Sequence, residues 1–254
     1  MINAWIKLSS LMAFLSLDIT SIGQFMISRP IVIGPIAGFL LGQPIWGLTI
    51  GVMVEIIWIG DLAIGAHIPI DLTLLTVVAV ALGSSLTLLY SKQALVTYCL
   101  GAAIPFAYAS SRVELWVRKL QVFWMKFAQK LLEQGSIHKF KWIWVIVLIE
   151  QWIKNFLMFF LSLTIVIWAR KLFVILPTTV IQGLKYSNWF LMALGCATAI
   201  HLLMNKIKLI YLILLGMAVV IVIKFMHISE IYSFESILVI GFVIYVLYFQ
   251  HEIL

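Results

Sequence analysis

The sequence predicts an all-α, polytopic helical membrane protein, and three observations carry that prediction. Of 254 residues, 64% are hydrophobic and 11% charged, against ~45–50% and ~25% in soluble domains. Mean hydropathy is +1.14, which excludes a water-soluble globular enzyme. The apolar stretches approach the ~20 residues that cross a hydrocarbon core, and they lack the alternating polarity of a membrane barrel. The net charge of +7, from 17 Lys and Arg against 10 Asp and Glu, is clustered. Clustering of this kind marks topology and not nucleic-acid binding. Cys99 and Cys196 sit in apolar stretches without metal or redox spacing and read as buried thiols. The first stretch lacks a basic leader and a cleavage site, is interrupted by Asp18, and reads as retained.

In chain order, apolar runs fall at 4–17, 31–41, 45–59, 72–90, 94–110, 142–168, 172–184, 189–204, 207–228 and 236–249. The runs at 72–90, 142–168, 189–204, 207–228 and 236–249 read as ordinary spans or near-spans, and 142–168 is long enough to tilt. The second and third runs are too short to cross alone and are dense in Gly34, Pro35, Gly38, Gly42, Pro44, Gly47 and Gly51. Such a pattern marks a broken or re-entrant helix lining a site. It equally marks helices packed closely through small residues. Pro177, Gly183 and Gly195, with Tyr186, Ser187 and Asn188, form a weaker second interruption.

Residues 112–135 change character. Val113, Trp116, Val117, Leu120, Trp124, Phe127 and Leu131 share one helical face, and Arg112, Lys119, Lys126 and Lys130 share another. A basic helix with a Trp-rich face lies in the headgroup plane on the cytoplasmic side, with Gly135 ending it. The same helix also suits a landing surface for a soluble partner. The chain thus divides into a membrane half at 1–111, a basic amphipathic segment at 112–140 and a second membrane half at 141–254.

Acidic groups within apolar surroundings cost ~2.5–3.5 kcal/mol even on the lenient scale, so each needs a reason. Glu55 lies on one helical face with Trp58, a carboxylate and a ring of the kind that hold a sugar's hydroxyls and apolar face. Glu55 can also cap a helix or pair with Arg29. Asp61 follows Gly60, and Asp71 precedes an apolar helix, where it is a natural N-cap with an oxygen to spare. Gln24 is a candidate hydroxyl reader, while Asp18 is a further partner for Arg29. Glu150 and Lys154, four apart, most simply neutralise each other. His67 and Asp71 are separated by Pro69, which argues against a metal pair. His138, His201, His227 and His251 show no partner spacing. No catalytic triad order, HExxH, Walker loop or dinucleotide fingerprint occurs, so no catalytic residue, metal or cofactor is expected.

The stretch Ser28 to Asp71, SRPIVIGPIAGFLLGQPIWGLTIGVMVEIIWIGDLAIGAHIPID, resembles the membrane component IIC of the mannose, fructose and sorbose family of the phosphotransferase system. Arg29-Pro30 opens a Gly-rich segment, LLG precedes a turn and a GxxxG helix, Glu55 precedes Ile56, Ile57 and Gly60, and Ile64-Gly65-Ala66 leads to a Pro and Asp71. Leu176-Pro177 through Gly183-Leu184 to Gly195 is similar, more weakly, to a second region of that component. The chain departs from the pattern at Gln43, Ala63 and Ile70 and after Leu184. The resemblance implies a permease subunit in a bacterial cytoplasmic membrane. It would carry a hexose-type sugar inward with a second membrane component, IID, as a hetero-oligomer, while soluble IIA and IIB proteins relay phosphate. It makes Glu55 and Asp71 the leading sugar ligands, with Asp61, Gln24 and Trp58 beside them. Two other functions fit the residues: a secondary transporter with Glu55 or Asp61 carrying a proton, and a non-transporting membrane partner.

Overall fold

The computed structural model describes residues 2–61, 68–84, 86–87, 90–134 and 137–203. Within them the chain forms helices and no strand: α1 Ile2–Thr20, α2 Pro30–Leu40, α3 Pro44–Ile57, α4 Leu72–Gly83, α5 Lys92–Glu133, α6 Ile137–Ile175 and α7 Thr178–Leu203. The expected runs at 207–228 and 236–249 lie outside the described residues, as do His227 and His251.

The Gly/Pro-rich segment forms a hairpin of two half-length helices. At ~1.5 Å per residue, the 11 residues of α2 and 14 of α3 reach ~16 and ~21 Å, short of a ~30 Å hydrocarbon core. Each opens on a proline, Pro30 or Pro44, where the missing N–H is no loss. Between them Gly42, at φ +74°, terminates α2. The Gln43 and Gly42 amides donate back to the Gly38 and Phe39 carbonyls at 2.7 and 3.1 Å, the Schellman pattern. Of the two readings of the glycines, close packing is the one their contacts show. The helices are short, and they touch backbone to backbone: a Cβ on Gly34 would lie 2.4 Å from the Gly47 carbonyl oxygen, and one on Gly51 2.3 Å from that of Pro30.

Helix α4 is the axis of the bundle. Every residue from Thr73 to Gly83 is buried, as expected of a helix apolar all round. It stops at Gly83, earlier than the 72–90 run suggested, because its C-terminal carbonyls are taken by side chains. The Trp46 indole donates to the Val80 carbonyl at 3.1 Å, and the Arg170 guanidinium to that of Ala81. A cation there also suits the negative end of the helix dipole. The run at 172–184 is divided at Pro177, between α6 and α7. Thr198 on α7 donates to the Ile56 carbonyl at 2.8 Å, which satisfies the open end of α3.

Helices α5 and α6 form a long antiparallel pair. Both carry segments long and apolar enough to cross a membrane, Lys92–Glu133 and Trp142–Ile175. The division expected between residues 111 and 112 falls inside α5, which runs on without interruption for 42 residues, or ~63 Å. Its buried stripe also differs from the expected apolar face. Ala103, Ala107, Ser110, Glu114, Val117 and Leu131 are buried, while Trp116 and Leu120 are exposed. The spacing of three and four is heptad-like, but the buried side includes polar groups because α6 meets it with polar groups of its own.

Candidate functional site

A cavity of about 340 Å³ opens where the ends of the short helices meet the middle of α5 and α6. Its first wall is the loop after α1. Asp18 builds that loop: its carboxylate accepts the Phe25 and Ile27 amides at 2.7 and 2.9 Å and the Ser28 hydroxyl at 3.4 Å. The expected alternative partner of Asp18, Arg29, pairs elsewhere. Gly23, Gln24 and Met26 all take positive φ, at 70°, 54° and 63°. For Gln24 and Met26 this is a strained conformation, of the sort that clusters at binding sites. The strain is held by the Asp18 anchor and turns Gln24 and Met26 into the cavity lining.

The floor is the amino-terminal end of α4. Asp71 caps that helix, Oδ1 accepting the Leu74 amide at 3.0 Å, and its other oxygen accepts the Ser110 hydroxyl at 2.6 Å. Asp61 Oδ2 accepts the Ile70 amide at 3.3 Å, and the Ser111 hydroxyl donates to the Pro69 carbonyl at 3.0 Å. Thr73 donates to the Ser28 carbonyl at 3.0 Å and ties floor to loop. Asp61, Asp71 and Gln24 therefore face one space.

Glu55 and Trp58 stand outside that space. Glu55 Oε1 lies 3.2 Å from Arg29 Nη1, and Oε2 accepts the Ile31 amide at 3.4 Å. The acid thus clamps the start of α2 to the end of α3, and it is Arg29 that lines the cavity. Trp58 is the C-terminal cap residue of α3 and packs against the apolar core. The helix ends before the shared face of Glu55 and Trp58 is formed.

The opposite wall comes from α5 and α6, and none of its residues was a sequence candidate for the site. Glu114 Oε2 accepts Lys154 Nζ at 2.8 Å and the Gln151 amide at 3.0 Å, while Arg118 Nε lies 3.6 Å from Oε1. Asn155 donates to the Ser16 hydroxyl at 2.7 Å. Glu114 is 8% exposed, Gln151 1% and Asn155 5%, so this is a buried polar network that contributes only because its members satisfy one another. The expected Glu150–Lys154 neutralisation is corrected here. Lys154 turns to Glu114, and Glu150 instead accepts the Trp124 indole at 2.9 Å. Spacing along one helix does not reveal a partner on the next. One signal was available: Ser110 and Glu114 fall in register with Ala103, Ala107 and Val117, so an acid in a basic helix sits on its small-residue face.

The lining contains Asp18, Asp61, Asp71 and Glu114 against Arg29, Arg118 and Lys154. Charges of both signs nearly cancel, and hydroxyl and amide groups stand between them. Such a chamber suits a neutral ligand rich in hydroxyl groups, and at ~300–1,000 Å³ for typical ligand sites its volume is at the small end. Among the described residues no group of His, Cys, Asp and Glu is placed to hold a metal ion.

Half-length helices around a buried polar chamber, flanked by helices of membrane-crossing length, define a helical membrane protein with an internal site. The family model described as PTS system sorbose-specific IIC component matches residues 4–249, and the chain belongs to that family. Among curated relatives, the PTS system mannose-specific EIIC component of Escherichia coli (strain K12) is 24% identical over 188 residues, 71% of this chain. That of Shigella flexneri matches to the same extent. The matched stretch spans 66% of those relatives' length. A solved structure titled "Structure of membrane protein" superposes with a TM-score of 0.64 at 21% identity, covering 98% of this chain and 94% of that one. It shares the fold.

Proposed function

We propose that the chain is a sugar-carrying permease subunit of a phosphoenolpyruvate-dependent phosphoryl-transfer relay of the phosphotransferase type, spanning a bacterial inner membrane several times. The observation that carries this reading is the chamber: buried, polar, close to charge balance and built on the segment that resembles the family most. Asp61, Asp71 and Gln24 are the proposed sugar contacts on one side, with Ser110, Glu114 and Asn155 facing them. Glu55 acts through Arg29, whose direction it sets, and Trp58 supports the end of α3. A carboxylate already holding a hydroxyl, as Asp71 holds Ser110, exchanges that donor for a sugar hydroxyl at little net cost. The partners proposed are a second membrane component, IID, and soluble IIA and IIB phosphocarriers, the sugar being of the hexose class that the names of the relatives suggest.

The test is phosphoenolpyruvate-dependent sugar phosphorylation in vesicles holding this chain, with and without IID and phosphorylated IIB. Activity that requires all three is the expected result. Asp71→Asn should retain the cap on α4, since the amide oxygen still accepts the Leu74 N–H, and lose at least ~10-fold in rate, the order of one lost charge-assisted hydrogen bond. Full activity without IIB would overturn the reading.

A further inference from the structure

Beyond the chamber, α5 and α6 continue as an arm whose outer surface the transport reading leaves unused. Residues 112–141 hold seven Lys and Arg against two Glu, which is most of the chain's net charge of +7. The inner stripe of the arm is spent on α6, through Gln121 to Gln151 at 3.3 Å and Trp124 to Glu150 at 2.9 Å. On the opposite side Trp116, Lys119, Phe123, Lys126 and Lys130 follow one another at spacings of three and four, all exposed. The pattern read from the sequence put Trp116 on the apolar face and Lys119, Lys126 and Lys130 on another. In the structure Trp116 is 70% exposed, and Lys119 Nζ stands 5.2 Å from its ring centroid. On the neighbouring helix Trp142 and Trp144 are 68% and 62% exposed.

We propose that this outer stripe binds anionic phospholipid headgroups at the boundary where the α5–α6 pair leaves the bilayer. The charge is complementary, and the interleaving decides the occupant. The rings of Trp116 and Phe123 want an apolar layer, and Lys119, Lys126 and Lys130 beside them want phosphate a few ångströms away. The boundary of a bilayer offers both at that separation, with lysine stems lying along the apolar side. An acidic protein surface would satisfy the lysines and leave Trp116 and Phe123 unmatched.

The full chain is reconstituted in phosphatidylcholine vesicles, and the fraction of spin-labelled lipid immobilised by the protein is measured for phosphatidylglycerol and for phosphatidylcholine. The chain should favour phosphatidylglycerol, the preference falling as salt is raised because the contact is a surface one. Each lysine of the stripe is expected to contribute about fivefold at its own site. The Lys119→Gln/Lys126→Gln/Lys130→Gln variant should therefore bring the preference close to that of phosphatidylcholine, while Lys185→Gln, exposed on α7, leaves it unchanged. A wild-type chain without preference overturns the proposal, and so does a triple variant that keeps the wild-type ratio. The salt series needs no variant.

Discussion

Lys154→Met is expected to cost ~3–5 kcal/mol, the penalty for leaving one member of a buried ion pair behind. Glu114 would keep the Gln151 amide at 3.0 Å but lose the ammonium at 2.8 Å, in a wall where water is scarce. Arg118, at 3.6 Å from Oε1 and 40% exposed, compensates only in part, since exposed pairs contribute ~1 kcal/mol or less. The loss reads out as a marked fall in the midpoint of thermal unfolding of the solubilised protein. Adding Glu114→Gln to Lys154→Met should recover most of it, because the orphaned charge is gone and the amide still accepts from Gln151. A single variant as stable as the wild type would show that the α5–α6 network is not under strain from burial.

The other large effect falls on the half-helix hairpin. In Gly47→Ala the new methyl would lie 2.1 Å from the Gly34 carbonyl oxygen and 2.9 Å from the Gly38 Cα. Both are backbone, so no side chain can rotate away, and α2 and α3 must separate. That uncouples the loop from Asp18 to Arg29, and with it one wall of the chamber, from the rest of the bundle. The expected outcome is a chain that fails to accumulate in the membrane. Gly42→Ala supplies the comparison. Nothing lies within 4 Å of its Cβ, and only the φ of +74° opposes it, which costs ~1–2 kcal/mol. That variant should accumulate with a modest drop in thermal stability. Equal behaviour of the two would mean that packing is not what the glycines provide.

Much of this architecture was legible because membranes leave few choices. Composition and run length led to helices, the Gly34 to Gly51 spacing to half-length helices in close contact, and the Pro69–Asp71 approach to a capped helix start. Three of the proposed site residues, Gln24, Asp61 and Asp71, meet in one cavity. What eluded the sequence was whatever depends on a second element. Glu55 is a partial exception: it was read both as a ligand beside Trp58 and as a partner of Arg29, 26 residues away, and the second is the contact it makes. Lys154 was paired with Glu150 on its own helix, and its ion pair is with Glu114, 40 residues distant. The face of α5 was assigned by hydrophobicity. The buried stripe of α5 carries Ser110 and Glu114 beside Ala103, Ala107 and Val117, because the polar side chains of α6 lie against it. The end of α4 was overestimated for a like reason: Trp46 and Arg170 cap it, and no local signal announces a cap supplied from elsewhere.

The central claim is that the chamber between the Asp18 loop, α4 and the α5–α6 wall holds the sugar. Ser111→Cys tests it most directly, because Ser111 lines the cavity and a thiol is a small change from its hydroxyl. Cys99 and Cys196 would first be replaced by Ala. The rate of thiol alkylation in vesicles is then measured with and without the sugar that supports phosphorylation, with Ser187→Cys, half-buried on α7 and outside the cavity lining, as the control. The account predicts that saturating sugar slows alkylation at position 111 by ~10-fold or more, as bound ligand covers most of a site of this size, and leaves position 187 unaffected. Alkylation at position 111 that proceeds at the same rate with the sugar bound would contradict it.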